Sequence, residues 1–161
     1  EYLPNETLDF AYLSEMPEAK DLGNVTALLE NWSTFMSLRD AVNKALEEAR
    51  GAELIGKNAE AALTLYVTSE QNDLLQNLNA DVRLLLMVSQ LYIVDVEKAP
   101  TDVKSYDGIL IDVKHAIGGV SPRDRMFHED LGADAAFPEL SQHEADIVRE
   151  FYPEALTEGL E

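Results

Sequence analysis

Apolar residues recur every three or four positions along the stretch that begins at Asn24: Leu28, Leu29, Trp32, Phe35, Met36, Val42, Ala45, Leu46 and Ala49. That spacing places them on one face of a single long helix. Asn24 is positioned to cap it, because its side chain can accept from a free first-turn amide. Arg50 and Gly51 are positioned to stop it, with a cation against the negative helix end and a glycine free to turn left-handed. Lys44 and Glu48 are expected to pair across one turn. The period then changes. Ala62 to Val67 reads as a strand. Ser69 would cap a short helix from about Glu70 to Leu78, and Asn79-Ala80-Asp81 interrupts it. Asp81 to Ser89 (DVRLLLMVS) predicts a second helix, almost wholly apolar and therefore buried. Leu91 to Val96 predicts a second strand, broken by Ala99-Pro100-Thr101. Gly108 to Ala116 predicts a third, with Ile109, Ile111 and Val113 alternating against Leu110, Asp112 and Lys114. Gly118-Gly119 ends it. Residues Glu1 to Asp21 carry Pro4, Pro17 and little periodicity, so they read as an extended lead-in. The fold class expected is α+β: a long N-terminal amphipathic helix and a small mixed sheet of about three strands, with helices on one face. Strand order stays open.

Composition narrows the function. The chain has 161 residues and 46% hydrophobic content, enough for one packed core. Its 31 acids against 12 lysines and arginines give a net charge of −19. Affinity for nucleic acid rests on neutralising phosphates, so such a chain is not a general grip on RNA unless its few cations are concentrated. An acidic, soluble surface is the plainer account. No apolar run approaches the roughly 20 residues that span a bilayer. The start, EYLPNETLDF, lacks the basic end and apolar stretch of a signal peptide. There is no cysteine, hence no disulfide and no thiolate metal site.

Trp32, the run Leu38–Arg50 (LRDAVNKALEEAR) and the run Leu54–Tyr66 (LIGKNAEAALTLY) together resemble the C-terminal region of bacterial-type isoleucyl-tRNA synthetases. The match keeps Arg39, Val42, Asn43, Glu48, Ala49, Arg50, Ile55, Gly56, Lys57, Glu60, Ala61 and Leu65 in register, and extends more loosely over most of the chain. The resemblance implies three parts. Residues 1–50 would be the lead-in and terminal helix of the anticodon-binding domain, 51–119 a small α+β domain, and 120–161 a knuckle segment with a C-terminal helix. YLSEMPEAKDL is similar to the approach to the long helix, which implies a fragment beginning within a connection. A cytoplasmic location is implied too.

Ser121 and Asp124, then Ser141 and Glu144, repeat the C-x2-C-x16-C-x2-C spacing of a structural zinc ribbon. The family carries four cysteines there. The rest of the frame persists: Pro122, Arg123, the DLGAD turn from Asp130, Phe137-Pro138-Glu139-Leu140, and then ADIVREFYP as a final helix. Serine hydroxyls are poor zinc ligands, so the expectation is a metal-free, zinc-ribbon-like knuckle. Ser121 would make a turn hydrogen bond with Asp124. Phe127, Leu131, Phe137, Leu140 and Ile147 would supply a small core. The alternative is a weak oxygen and nitrogen site made by Asp124, His128, His143 and Glu144.

No catalytic signature is present: neither H-x-G-H nor K-M-S-K-S, no phosphate-binding loop, no G-x-G-x-x-G, no nucleophile elbow. His115, His128 and His143 have no local nucleophile. The resemblance implies that ATP-dependent attachment of isoleucine to tRNA(Ile), with its ATP and Mg, belongs to other domains of a parent ligase. This segment needs no cofactor of its own. Its partners would be tRNA(Ile) and the remaining synthetase domains, with no membrane and no second copy. Arg39, Asn43, Arg50, Lys57, Arg123 and Arg125 are the positions that could touch anticodon-end RNA, since arginine stacks on bases and forks onto phosphates. Each also has a plainer account. Arg39 and Asn43 can pair with Glu47 or a neighbouring domain, Arg50 can serve the helix dipole, Lys57 can be a loop cation, and Arg123 and Arg125 can balance Asp124, Glu129 and Asp130. The rival class is a structural or protein-interaction module. Clustering of Arg50, Lys57, Arg123 and Arg125 on one face would favour RNA; separate neutralisation would favour the rival.

Overall fold

A computed structural model describes Lys20, Gly23, residues 25–78 and residues 80–154. Helix α1 runs over Thr26–Gly51. Its second half follows the expected period, with Phe35, Leu38, Ala41, Val42, Ala45, Leu46 and Ala49 buried. The first half departs from it. Leu28, Leu29 and Met36, expected on the buried face, are exposed, because the sheet lies only under the later turns. Trp32 is half-buried and meets Phe35 edge-on at 5.6 Å. The expected cap at Asn24 lies outside the described residues. The N-cap position is Val25, which makes no side-chain capping bond.

The stop differs as well. Gly51 stays helical, and the left-handed residue is Glu53, at φ 59°. The amide of Glu53 donates to the carbonyl of Arg50 and that of Leu54 to the carbonyl of Ala49, both at 3.0 Å. These two bonds satisfy the last carbonyls as a glycine-based stop would, but with a side chain in strained backbone. Lys44 and Glu48 do not pair. Lys44 reaches Asp107 at 2.6 Å, and Glu48 takes Lys104 and the Tyr106 hydroxyl, at 2.9 Å for the latter. Both side chains therefore tie α1 to a hairpin far along the chain.

That hairpin escapes the sequence pattern. Strand β1 spans Ala61–Val67, helix α2 Ser69–Asn77, helix α3 Val82–Leu86, strand β2 Gln90–Asp95, β3 Lys104–Tyr106 and β4 Ile109–His115. The sheet order is β2-β1-β4-β3, one strand more than expected. β1 runs parallel to β2, which requires the crossover through α2 and α3, and antiparallel to β4. β3 and β4 meet through Asp107-Gly108, both at positive φ, as a two-residue hairpin turn demands. Central β1 buries Ala61, Leu63, Leu65 and Val67 on the helix-covered face and leaves Ala62, Thr64 and Tyr66 half-buried on the other. The face alternation expected for Ile109, Ile111 and Val113 is observed.

The two short helices differ from expectation in detail. Thr68, not Ser69, caps α2, in a reciprocal box with Gln71. α3 ends at Leu86, with Met87 at φ 59° as its left-handed C-cap, instead of running to Ser89, and Leu84 and Met87 are exposed where burial was expected. A five-residue helix has only one inward stripe, taken by Val82 and Leu86.

Beyond β4 a two-stranded ribbon forms from β5 (Gly119–Val120) and β6 (Phe127–His128), and α4 spans Gln142–Phe151. A separate core gathers Phe137, Leu140, Ala145 and Val148. Two members of the expected set, Phe137 and Leu140, belong to it. Phe127, Leu131 and Ile147 are only half-buried, and Ala145 and Val148 stand in their place because they are the ones α4 turns inward.

Candidate functional site

The four positions with zinc-ribbon spacing come together, although they lie in two regions 16 residues apart. Ser121 follows β5, Ser141 is the N-cap of α4 and Glu144 is its third residue. The Ser121 hydroxyl donates to Glu144 Oε1 at 2.8 Å. The Ser141 hydroxyl and amide both donate to Glu144 Oε2, at 3.0 and 2.9 Å. All three residues are buried. The expected Ser121–Asp124 bond is absent: Ser121 Oγ accepts from the Arg123 amide at 3.1 Å, while Asp124 accepts from the Met126 amide at 2.8 Å and meets His128 Nε2 at 2.9 Å.

Zinc does not fit this donor set. Two of the four positions offer neutral hydroxyls already committed to Glu144. The remaining candidates, Asp124, His128 and Glu144, place one ligand atom each within 4.8 Å of one another. That is three hard or borderline donors, short of the closed four-ligand thiolate or imidazole shell of a structural zinc site. His143, the fourth member of the alternative set, is exposed and outside this group.

Three further contacts, none evident in the sequence, hold the segment. Ser89, buried just before β2, accepts from the Phe127 amide at 2.7 Å and donates to the Ala59 carbonyl, so one hydroxyl stitches the ribbon to the sheet. Gln90 exchanges two hydrogen bonds with the backbone of Ile117, at 2.9 and 3.1 Å. Polar residues at the head of a strand give no sequence signal for such a role. The third contact is Asp134, buried and paired with Arg149, whose guanidinium also lies 5.6 Å from the Phe137 ring centroid. Arg149, and then the amides of Ala136 and Phe137, hold the Asp134 carboxyl below its usual range against the opposing effect of burial. A depressed folded-state value means that the contribution is complete above the unfolded value, about 3.9, and disappears as pH falls through the lower folded one. The melting difference between the natural chain and Asp134→Asn should therefore be constant from about pH 5 to 8 and shrink below about pH 4. Thermal melts at pH 7, 5, 4 and 3 check this, and a difference that grows on acidification would exclude it.

The six cationic or amide positions stand on three segments: α1, the loop that follows it, and the turn between β5 and β6. Arg39 and Asn43 sit half-buried one turn apart on α1, with no side-chain hydrogen bond or ion pair among the described residues. Glu47, their expected partner, pairs instead with Arg50 at 3.1 Å, and Arg50 also reaches Asn58 at 3.1 Å. Lys57 is exposed in the same loop, which is braced by Glu60 accepting from the Gly56 amide at 2.6 Å. Arg123 and Arg125 stand exposed on the turn between β5 and β6, with Arg125 at φ 65°. Neither makes an ion pair among the described residues. Asp124 between them is occupied by His128.

No protein-family model matches the chain. Among curated proteins it is 48% identical over 156 residues, 97% of its length, to the isoleucine--tRNA ligase of Lactobacillus acidophilus. It is 45% identical over 158 residues to that of Limosilactobacillus reuteri and 43% identical over 160 residues to that of Streptococcus pyogenes. The chain spans 17% of the length of these relatives.

Proposed function

We propose that this chain, which belongs with the C-terminal parts of isoleucine--tRNA ligases, serves a parent ligase by supporting the anticodon end of tRNA(Ile). The observation that carries this reading is the pair Arg123 and Arg125. In a chain of net charge −19, they are exposed on the turn between β5 and β6 without ion pairs among the described residues. Two forked guanidiniums on a tight turn suit a single-stranded loop, whose bases and phosphates are both within their chemistry. Arg50 is held by Glu47 and Asn58, so it contributes less; Arg39, Asn43 and Lys57 are secondary candidates. ATP, Mg and the aminoacylation step belong to the other domains of the parent. In this reading the partners are those domains and the tRNA, the place is the cytoplasm and the chain is monomeric. The division at residues 50 and 119 and the zinc-ribbon ancestry of residues 120–161 belong to the same reading.

A second reading is favoured by a different observation. Leu28, Leu29 and Met36 leave an apolar flank on the first turns of α1, which suits a structural or protein-interaction module. The two separate by titration at low salt with tRNA(Ile) and a non-cognate tRNA. Support for the tip predicts preference for tRNA(Ile), and a log–log salt slope reduced by about two in Arg123→Ala/Arg125→Ala. Equal affinity for both RNAs, or an unchanged slope in the variant, would overturn it and put the interaction module first.

A further inference from the structure

Glu144 is 7% exposed, yet no ion pair of this carboxylate occurs among the described residues. A buried charge is tolerated only where donors replace its lost water. Three donors do so here: two hydroxyls and one amide, with the N-terminal end of α4 adding its positive dipole end. Each serine spends its only hydroxyl donor on Glu144. Ser121 Oγ also accepts from the Arg123 amide and Ser141 Oγ from the Glu144 amide, at 3.1 and 3.4 Å. Ser121 is fully buried and Ser141 is 1% exposed. The carboxylate thus joins two arms of the chain, the turn after β5 and the start of α4, at the point where the spacing would place a metal.

We infer that the Glu144 carboxylate takes the structural place of a metal ion, clasping Ser121 and Ser141, so that residues 119–151 hold their fold without zinc. A zinc clasp stabilises by binding the folded form alone, and removing it with a chelator unfolds the site. A carboxylate clasp is part of the chain and cannot be removed that way. A metal on Glu144 would compete with the Ser121 and Ser141 hydroxyls for its lone pairs, and a hydroxyl left unmatched in a dry site opposes binding. Asp124 and His128, the remaining donors, are already joined to each other.

The test uses the whole chain. After exhaustive chelation it is melted with excess chelator, then with added zinc or cobalt, while metal content and amide exchange across residues 119–151 are read. The clasp predicts the same melting curve in all three conditions and no stoichiometric metal. It also predicts that Glu144→Gln, which turns an amide group toward the Ser141 donors, speeds exchange in residues 119–151 by at least about tenfold and leaves β1 and β4 protected. One zinc or cobalt retained per chain, or a melting temperature lowered by chelator, would overturn the inference, and these readings need no variant. Unchanged exchange in Glu144→Gln would overturn it too.

Discussion

Leu46→Ala should lower the unfolding free energy by about 3–4 kcal/mol, roughly 10 °C in melting temperature for a chain of this size. Leu46 is among the largest fully buried side chains, on the inward stripe of α1, between Val42 and Ala49. Its truncation removes apolar surface from a dry environment and leaves a cavity. Rigid strands and the rest of α1 surround that space, so it cannot collapse fully. The residue belongs to the one cluster that joins α1, α2, α3, β1, β2 and β4. The loss should thus appear as a lower urea midpoint with an unchanged slope, the sign of whole-unit destabilisation. Leu29→Ala, on the exposed flank of the same helix, is the matched control and should stay within about 0.5 kcal/mol. Equal effects at the two positions would mean that the flank is covered and that α1 is buried along its whole length.

Gly118→Ala should unfold the ribbon while sparing the sheet. Gly118 sits at φ +100°, outside the left-handed well that other residues can reach. A Cβ added there would lie 2.1 Å from the His128 carbonyl oxygen and 2.8 Å from the Glu129 amide nitrogen, both backbone atoms that no rotamer change can move aside. Backbone strain and overpacking together should cost at least about 3 kcal/mol. That exceeds what a two-residue ribbon can absorb. β5 and β6 pair only through Gly119 with His128 and Val120 with Phe127. Hydrogen exchange is the measurement: residues 119–128 should lose protection while β1, β2 and β4 retain theirs. Gly51→Ala, in helical backbone with open space around the new methyl, makes a useful contrast and should be neutral or slightly stabilising. Uniform loss of protection across the chain in Gly118→Ala would mean that the ribbon is part of the main cooperative unit.

Periodicity made much of this molecule legible. The helix on α1 and the strands at 61–67 and 109–115 follow from spacing and residue type, since burial of one face imposes its period on the residues; the final helix came with the family resemblance. The β3–β4 hairpin could have been found as well: Asp107-Gly108 is a strong turn signal, but three residues of Lys-Ser-Tyr are too short to show a period. The stop of α1 misled for a different reason. Gly51 is the residue that bears a left-handed turn most cheaply, yet it stays helical and Glu53 takes the left-handed position instead. The zinc-ribbon spacing pointed to the four positions that converge, whereas the partner of Ser121 was misjudged. Local turn bonds are readable from neighbours, but Glu144 lies 23 residues away.

The sequence by itself determined the α+β class, the kinship with isoleucine--tRNA ligases, the absence of thiolate chemistry and the four convergent positions. Each depends on composition, period or spacing, which exist before the chain folds. The tertiary structure alone decided which half of α1 is covered and that Lys44 and Glu48 serve the hairpin instead of each other. It also decided that Ser89 stitches the ribbon to the sheet and that Glu144 closes the segment. Those outcomes depend on which distant groups arrive within about 3 Å, where a hydrogen bond or ion pair becomes worth making. That distance is set by packing around the common core and cannot be read from neighbours in the chain.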